Sequence, residues 1–317
     1  MAPGDKMSLL EKTLQAVKNN FSASEYPCLE EQFQRFATVK PLAGRKALYG
    51  APLTRNTQVA LLPMLASEAE LTVSWPPIIP PDKQVLALLE EEGVECLPEV
   101  PTSHSFDVIL DCCGVNNSCQ ADSGYVELTR SGLKHYQDVQ DRTCIDIDST
   151  RVKKAETILG TGDGLLRAMA QKGYGDLQGK NVLLFGYGKV GQGICRVLLQ
   201  KQASITVVEE QSNLKLPEGI HWISSTDTES ILHALSTSDF MITATGIPGV
   251  IEKNYPVRAF IDSKAVLINM GAEDEYGEGF QSSRVENNKT ALNFILEEPT
   301  LMKFMDPIFT LFNESAA

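Results

Sequence analysis

The apolar positions change their spacing repeatedly along the chain, and the changes predict alternating helices and strands. Between residues 8 and 38 they recur at helical spacing, with a break near Tyr26-Pro27. Short apolar runs then predict strands, with helices at Thr54–Leu65 and Gln84–Glu92 between them. The predicted strands are Ala47–Ala51, Leu71–Trp75, Val94–Leu97, Phe106–Asp111 and Cys144–Ile147. This alternation predicts a parallel sheet with covered faces, in an α/β unit of about five strands.

A second alternating pattern follows a long helical stretch from Ser149 to Lys172. An apolar run at Asn181–Phe185 predicts a buried strand, and helical spacing from Val190 to Gln200 predicts the helix after it. Further strands are predicted at Ser204–Val208, Trp222–Ser224, Phe240–Thr245, Val266–Met270 and Thr290–Ile295. Apolar residues after Leu296 predict a closing helix that crosses back onto the first unit.

The junction at Phe185 carries glycines with the spacing G-x-G-x-x-G. In such a turn Gly186 permits the bend, Gly188 lets a pyrophosphate approach the backbone, and Gly191 lets helix and strand pack closely. The next strand ends at Glu209, about twenty residues on, where a carboxylate binding a ribose 2′-hydroxyl is expected. Because no Arg or Lys occurs at positions 210–213, the motif predicts NAD rather than NADP. The alternative is a structural glycine turn with an incidental Glu.

Composition and charge narrow the class. The 317 residues are 43% hydrophobic and 22% charged, which is typical of a soluble globular protein with one large or two ordinary domains. A net charge of −13 makes nucleic-acid binding unexpected. The segment Met1–Asn20 lacks the apolar core of a signal peptide, and no run is long enough to span a membrane. We therefore expect a cytoplasmic protein with seven reduced cysteines and without a membrane partner. The acidic cluster Glu273-Asp274-Glu275 with Glu278 is expected to be a solvated loop.

With these motifs the chain resembles adenosylhomocysteinase, the family of NAD-dependent S-adenosylhomocysteine hydrolases. The densest match is Gly179–Gly193, similar to the family's G-K-x-x-x-V-x-G-Y-G-D-V-G-K-G. Shorter matches are Ile109-Leu110-Asp111, Glu127 to Gly132, Ile145 to Gly160, Thr243 to Gly246, Asn269-Met270-Gly271, Asn293 and Glu298-Pro299-Thr300. The resemblance implies an α/β fold of two Rossmann-like, doubly wound parallel-sheet domains with a cleft between them. Residues 1–155 with 297–317 are expected to form a substrate-type domain, and residues 156–296 an NAD-binding Rossmann domain.

The cofactor side of the family's site matches almost completely. The resemblance assigns to the NAD site Gly186, Tyr187, Gly188, Lys189, Val190, Gly191, Glu209, Thr129, Thr245, Gly246, Asn269, Met270, Gly271 and Asn293. Thr129 is expected to contact NAD from the first domain. Asn293 is expected to bond the nicotinamide carboxamide, if a short deletion after it is accepted. In the family, NAD oxidises the ribose 3′-hydroxyl of the substrate, bases near the sugar assist elimination and water addition, and NADH then reduces the ketone.

The substrate side matches almost nowhere. Positions where the family has its His, Asp and Glu groups hold Ala51 or Pro52, Cys112, Leu128, Ala272 and Glu298. The family's catalytic Lys maps to Val152 or Lys153, and its Asp to Glu156 or Thr157. Hydrolysis of S-adenosylhomocysteine by the family mechanism is therefore not expected.

The remaining candidates for catalysis are Lys153, Glu156, Glu298 and Asp111. Each also has a structural interpretation: Lys153 and Glu156 as solvated helix residues, Asp111 as a turn cap, and Glu298 as an acid at a helix N-terminus. Whether Lys153 or Lys154 faces the cleft stays open. Cys112 is a possible nucleophile or, more simply, a small buried residue.

The leading hypothesis is an NAD-dependent enzyme, a hydrolase or oxidoreductase relative, that transfers hydride on a small polar substrate. The alternative is a catalytically inactive NAD-binding protein used for regulation or assembly. A hydroxyacid-dehydrogenase-like reductase is disfavoured because its catalytic His and Arg have no counterparts here. Glu298 and Glu273 suggest that a cationic substrate is conceivable. No metal is expected, and a homodimer is the default assembly.

Overall fold

The computed structural model describes residues 7–77, 79–136 and 143–317. Met1–Lys6, at the start of the segment judged not to be a signal peptide, lie outside the described residues. The chain divides into two compact units, one formed by Met1–Lys154 with Leu301–Ala317 and the other by Ala155–Thr300. Each unit contains its own parallel sheet, which confirms the predicted α/β fold class.

The first unit is built on a six-stranded sheet in the order β3-β2-β1-β4-β5-β6. Its strands are β1 Lys46–Gly50, β2 Glu70–Ser74, β3 Glu95–Cys96, β4 Ser105–Asp111, β5 Gln120–Glu127 and β6 Thr143–Asp146. Its helices are α1 Leu9–Asn20, α2 Pro27–Val39, α3 Arg55–Ala66, α4 Lys83–Glu91, α5 Arg130–Leu133 and, from the end of the chain, α12 Met302–Glu314. The strand order reverses between β1 and β4, which is where ligands bind in open sheets of this kind.

Local sequence explains how the helices of the first unit begin and how the last one is attached. Ser8 and Glu11 form a reciprocal capping box at the start of α1. The break near Tyr26 arises because Pro27 opens α2, where a missing N–H costs nothing. Asp306 of α12 accepts hydrogen bonds from the backbone N–H groups of Cys28 and Leu29, at 3.0 and 2.8 Å. The C-terminal helix thereby caps α2.

The second unit is built on a five-stranded parallel sheet in the order β11-β10-β7-β8-β9. Its strands are β7 Asn181–Phe185, β8 Ser204–Glu209, β9 Ile220–Ser224, β10 Phe240–Thr243 and β11 Val266–Asn269. Its helices are α7 Gly162–Gln171, α8 Lys189–Gln200, α9 Thr228–Thr237, α10 Val250–Asn254 and α11 Val257–Ile261. Helix α6, Arg151–Glu156, leads into α7 through a π-helical turn, Thr157–Thr161. The order reverses between β7 and β10, so the phosphate turn follows a strand at the switch point.

One strand was missed and one predicted strand was wrong. The first sheet has six strands rather than about five, since β5 was not predicted. The first half of β5 is polar and includes Gly124, with φ of +145°, and the apolar pattern appears only from Tyr125 onward. The strand predicted at Thr290–Ile295 is a 3₁₀ turn, Leu292–Ile295. Left-handed backbone at Asn287, Asn288 and Lys289 curls the chain just before it, and the sheet ends at β11.

Each unit has its own buried core. Apolar residues of α1–α4 and α12 pack on the first sheet, with Tyr49 and Phe312 in edge-to-face contact. Two further clusters cover the faces of the second sheet, one against α7 and α8 and the other against α9–α11. Within the described ranges, no helix combines the length and the apolar character that crossing a membrane requires.

Candidate functional site

The phosphate turn of the second unit has the geometry that its glycines predict. Gly186 takes a left-handed φ of +96°, and a Cβ there would lie 2.4 Å from the Ala244 carbonyl oxygen. Gly188 is exposed, and a Cβ there would meet no atom within 4 Å. At Gly191 a Cβ would lie 2.2 Å from the Gly186 oxygen. Two glycines therefore permit close packing, while the third leaves open space before the N-terminus of α8, the end of a helix that favours anions.

Glu209, at the end of β8, is tied directly to this turn. One carboxylate oxygen accepts a hydrogen bond from the Tyr187 N–H at 2.8 Å, and the other accepts one from the Glu210 N–H at 2.9 Å. The carboxylate is half-buried. A negative charge is thereby fixed beside the phosphate turn, as the prediction of a ribose-binding acid requires.

The loop Thr245-Gly246, which follows β10 on the other side of the switch point, is held by Glu275. This carboxylate accepts bonds from both backbone N–H groups, at 2.9 and 2.7 Å, and from the Thr245 hydroxyl at 2.8 Å. Glu275 is completely buried, and burial raises its pKa. The prediction that the acidic cluster is a solvated loop was therefore wrong at Glu275, although Glu273 and Glu278 are exposed.

Asn269, at the end of β11, uses its whole amide inside the protein. Its oxygen accepts bonds from the Thr243 hydroxyl and the Gly271 N–H, at 3.1 and 2.9 Å. Its nitrogen donates to the carbonyls of Glu273 and Lys289, at 2.7 and 2.6 Å. The amide thus has its full complement of partners, so Asn269 holds the loop that follows it.

Three other residues predicted for the functional site lie in the second unit, one directly after β11 and two in the last segment of the unit. Met270 is buried and donates its N–H to the Thr243 carbonyl at 2.8 Å. Asn293 is buried in the final 3₁₀ turn, with its amide nitrogen 3.5 Å from the Pro299 oxygen. Glu298 is half-buried, and its carbonyl accepts a bond from Arg167 of α7 at 2.9 Å.

Helix α6 carries the catalytic candidates Lys153 and Glu156, and also Lys154, the alternative to Lys153. Lys153 is half-buried whereas Lys154 is exposed, and the charge of Lys153 acts on the Cys112 thiol. Glu156 is 7% exposed and accepts a hydrogen bond from the Thr157 hydroxyl at 3.1 Å. Lys153 is therefore the better placed of the two lysines for a role other than solvation.

In the first unit the switch point between β1 and β4 is filled by the protein's own polar side chains. Asp111 is fully buried and accepts bonds from the Tyr136 hydroxyl and from the backbone and side chain of Asn116, the latter two at 3.0 and 2.8 Å. Asn116 also bonds Ser74 at 2.9 Å. A Cβ at Gly50 would lie 2.3 Å from the Asn116 amide. Asp111 is thus the centre of a packed network.

Glu127, at the end of β5, joins two loops of the first unit. It accepts hydrogen bonds from the N–H groups of Cys113 and Gly114, both at 3.1 Å, and from the N–H and hydroxyl of Thr129, at 2.7 and 2.6 Å. The Thr129 hydroxyl also accepts a bond from the Cys113 N–H at 2.8 Å. Burial raises the pKa of Glu127 to about 8, against the lowering effect of the bonds from Thr129.

The raised pKa values of two buried carboxyl groups, Glu127 and Asp111, predict that the first unit loses stability as the pH rises. Burial lifts the pKa of Glu127 from 4.5 to about 8 and that of Asp111 from 3.8 to about 6. The folded state therefore binds more protons than the unfolded state between pH 5 and pH 8. We expect the free energy of unfolding to fall across this range by a few kcal/mol, since each unit of pKa shift corresponds to about 1.4 kcal/mol.

Fluorescence can follow the first unit alone. The chain has two tryptophans, and a Trp222→Phe background leaves Trp75, which lies in the core of the first unit. Urea unfolding of this protein from pH 5 to pH 8, with and without Glu127→Gln, measures the effect, and the substitution should flatten the pH dependence. Constant or rising stability toward pH 8 in the parent protein would show that these carboxyls titrate normally.

Comparison with known protein families identifies part of the second unit. Residues 174–278 match a family model described as “Putative NAD(P)-binding”. The matched span contains the phosphate turn, Glu209, the Thr245-Gly246 loop and Glu275. The second unit therefore carries an NAD(P)-binding domain, and the dinucleotide prediction is confirmed at that level.

Similarity to individual proteins is low. Adenosylhomocysteinase of Sulfolobus acidocaldarius is 25% identical over 276 residues, 77% of this chain, and the chain spans only 64% of that protein's length. Bifunctional protein FolD of Staphylococcus aureus is 30% identical over 104 residues, 32% of this chain and 29% of that protein. The solved structure of a dipicolinate synthase component from Bacillus halodurans has a TM-score of 0.50 at 14% identity, covering 87% of this chain and 99% of that one. That likeness shows the fold alone. The resemblance predicted from the sequence is thus confirmed only as a weak similarity.

Proposed function

We propose that this protein is an NAD-binding enzyme that transfers hydride to or from a small polar substrate other than S-adenosylhomocysteine. The observation that carries the proposal is the phosphate turn, in which Gly188 leaves open space while the Glu209 carboxylate is anchored to the Tyr187 N–H. An enzyme of this kind uses NAD as its hydride acceptor or NADH as its hydride donor, and the protein supplies binding and orientation.

The residues of the second unit divide that work among them. The backbone at Gly188 and the start of α8 would receive the pyrophosphate, and Glu209 would hold the adenosine ribose. Its negative charge disfavours a 2′-phosphate, which supports NAD over NADP. Glu275 and Asn269 are buried, and their hydrogen bonds fix the loops after β10 and β11.

The substrate is proposed to differ from that of the adenosylhomocysteinases because the proton-transferring groups of that family are absent. Ala272 stands where that family has a His, and Cys112 and Leu128 stand where it has carboxylates. Asp111, retained from the family motif, is enclosed in hydrogen bonds. Lys153, Glu156 and Glu298 remain the candidate proton carriers, and the protein is proposed to act as a homodimer in the cytoplasm.

The second candidate function is a catalytically inactive NAD-binding protein with a regulatory or assembly role. It is favoured by the complete internal bonding of Asp111 and Asn269, because residues predicted to act on ligands serve here to hold loops.

A cofactor-reduction assay separates the two functions. Purified full-length protein with NAD is mixed in turn with hydroxy acids, amino acids, nucleosides and S-adenosylhomocysteine, and the absorbance of reduced nicotinamide is followed. Reduction by one of the first three classes supports the enzyme, and Lys153→Met should then slow it at least tenfold while the exposed neighbour's change, Lys154→Met, has little effect. No reduction of NAD by any of these compounds, together with no oxidation of NADH by their keto or imino counterparts, favours the inactive protein. Ready cleavage of S-adenosylhomocysteine would contradict both.

A further inference from the structure

Two adjacent cysteines lie at the carboxyl end of β4, outside the dinucleotide-binding domain. Cys112 is buried, whereas Cys113 is partly exposed. Their sulfur atoms are 3.8 Å apart. We propose that Cys113 is a redox-reactive nucleophile that hydroperoxides oxidise, and that Cys112 resolves the oxidised form as a Cys112–Cys113 disulfide.

The backbone holds Cys113 in one orientation. Its φ is +65°, a left-handed value that is uncommon outside glycine. Its N–H donates to the Glu127 carboxylate and to the Thr129 hydroxyl, at 3.1 and 2.8 Å. The residue is thereby fixed between the ends of β4 and β5 beside its neighbour's sulfur, so the two thiols do not need to find each other by diffusion.

The surroundings divide the two thiols into a thiolate and a thiol. Hydrogen bonding from Cys112, Ser131 and Thr129 lowers the pKa of Cys113 to about 7, although burial and the charge of Asp111 oppose this. The pKa of Cys112 is raised well above its usual value, first by its bond to Cys113 and then by burial, with Lys153 acting in the opposite direction.

Other ionisable groups near the pair are Glu127, whose pKa is raised in part by the charge of Cys113, and His135, whose ring lies beside Gly114. Titration of Glu127 near pH 8 adds a charge beside Cys113. Because the pKa of Cys113 is lowered to about 7, the thiol is largely ionised by pH 8, and we expect its reactivity to level off above that pH rather than to keep rising.

The proposed chemistry balances with a hydroperoxide as the oxidant. The Cys113 thiolate attacks one peroxide oxygen, so that an S–O bond forms, the O–O bond breaks, and the leaving oxygen departs with a proton as an alcohol or water. The Cys112 sulfur then attacks the Cys113 sulfenic acid, the S–O bond breaks, and the hydroxide leaves as water with the Cys112 proton. Two thiols are oxidised by two electrons and the peroxide is reduced by two.

The product should be easily reduced again. Adjacent Cα atoms are about 3.8 Å apart, which is closer than the roughly 4.4–6.8 Å of ordinary disulfides. A strained bond of this kind belongs to the labile class rather than the structural one.

Cys28 provides a comparison within the same chain. It is exposed, but burial of its sulfur and the nearby Asp306 raise its pKa to about 11. At pH 7.5 the fraction present as thiolate is roughly a thousandfold larger for Cys113 than for Cys28. Because a more acidic thiolate is a weaker nucleophile, this advantage in rate is reduced by roughly fiftyfold. Thiolate chemistry therefore predicts faster reaction at Cys113, whereas simple exposure predicts faster reaction at Cys28.

The test uses the full chain. Wild-type protein is treated with limiting iodoacetamide at pH 7.5 and analysed by peptide mass spectrometry, and we expect alkylation of Cys113 to be at least tenfold faster than that of Cys28. Hydrogen peroxide should instead remove two hydrogen masses from the Cys112–Cys113 peptide, reversibly with a thiol reductant. Faster labelling of Cys28, or peroxide damage that does not involve this peptide, would overturn the proposal.

Variants separate the two roles, with melting curves to confirm folding. In Cys112→Ser, dimedone should trap a sulfenic acid at Cys113 after peroxide treatment. In Cys113→Ser neither the adduct nor the mass loss should appear. A dimedone adduct at Cys112 in Cys113→Ser would reverse the assignment. These readouts do not involve NAD, so they stand or fall separately from the proposed enzyme function.

Discussion

A Gly188→Ala protein is expected to fold as well as wild type and to lose at least tenfold in NAD affinity. Gly188 has φ of −68°, which any residue adopts, and a Cβ there would meet no atom of the described residues within 4 Å. The added methyl group instead points into the space through which a pyrophosphate approaches the turn. Tenfold corresponds to about 1.4 kcal/mol of binding free energy. Calorimetric titration with NAD measures the loss, and thermal melting checks the fold.

Gly191→Ala is the matched variant in the same turn. There the new Cβ would lie 2.2 Å from the Gly186 oxygen and 2.9 Å from its carbonyl carbon, and a backbone carbonyl cannot easily move. We expect the second unit to lose about 2 kcal/mol or more of stability, as overpacked sites do. A folded Gly188→Ala protein that binds NAD like wild type would show that the pyrophosphate does not occupy this turn.

Glu275→Ala is expected to destabilise the second unit by several kcal/mol. The substitution leaves the part-buried N–H groups of Thr245 and Gly246 and the Thr245 hydroxyl without their buried carboxylate acceptor. Each hydrogen bond to a charged group contributes about 1.5–3 kcal/mol. The same change should raise the hydrogen-exchange rates of these two amides, because the loop is no longer tied down.

Glu278→Ala is the control for this prediction, since Glu278 is an exposed acid three positions away. It should leave both stability and exchange unchanged. Glu275→Gln keeps one acceptor oxygen and should fall between wild type and Glu275→Ala. If Glu275→Ala is as stable as Glu278→Ala, the loop does not depend on this carboxylate.

The fold could be predicted largely from local pattern. Buried parallel strands such as β7 and β10 are continuous apolar runs, and three glycines with an acid at the right offset specify how chain and ligand approach each other. β5 was missed because half of it is polar and its glycine has positive φ. The strand predicted at Thr290–Ile295 failed because the preceding left-handed residues decide the chain direction, and apolar spacing does not record them.

The candidate site could be predicted only where a residue belongs to a local sequence motif that fixes its position relative to the ligand, as in the glycine turn. Glu275 is distant in sequence from the loop it holds, so it had no local signal and looked like any acid in a charged cluster. The same applies to Glu127, Asn116 and Tyr136, whose roles arise from the meeting of separate strand ends. Cys113 was overlooked beside Cys112 because exposure and thiol acidity depend on the folded neighbourhood.

The most direct test of the account is a calorimetric titration of the full chain with NAD and, separately, with NADP. Because Glu209 sets a fixed negative charge beside the phosphate turn, we predict saturable binding of NAD to one site per chain and binding of NADP at least tenfold weaker. Absence of NAD binding, or tighter binding of NADP, would contradict it.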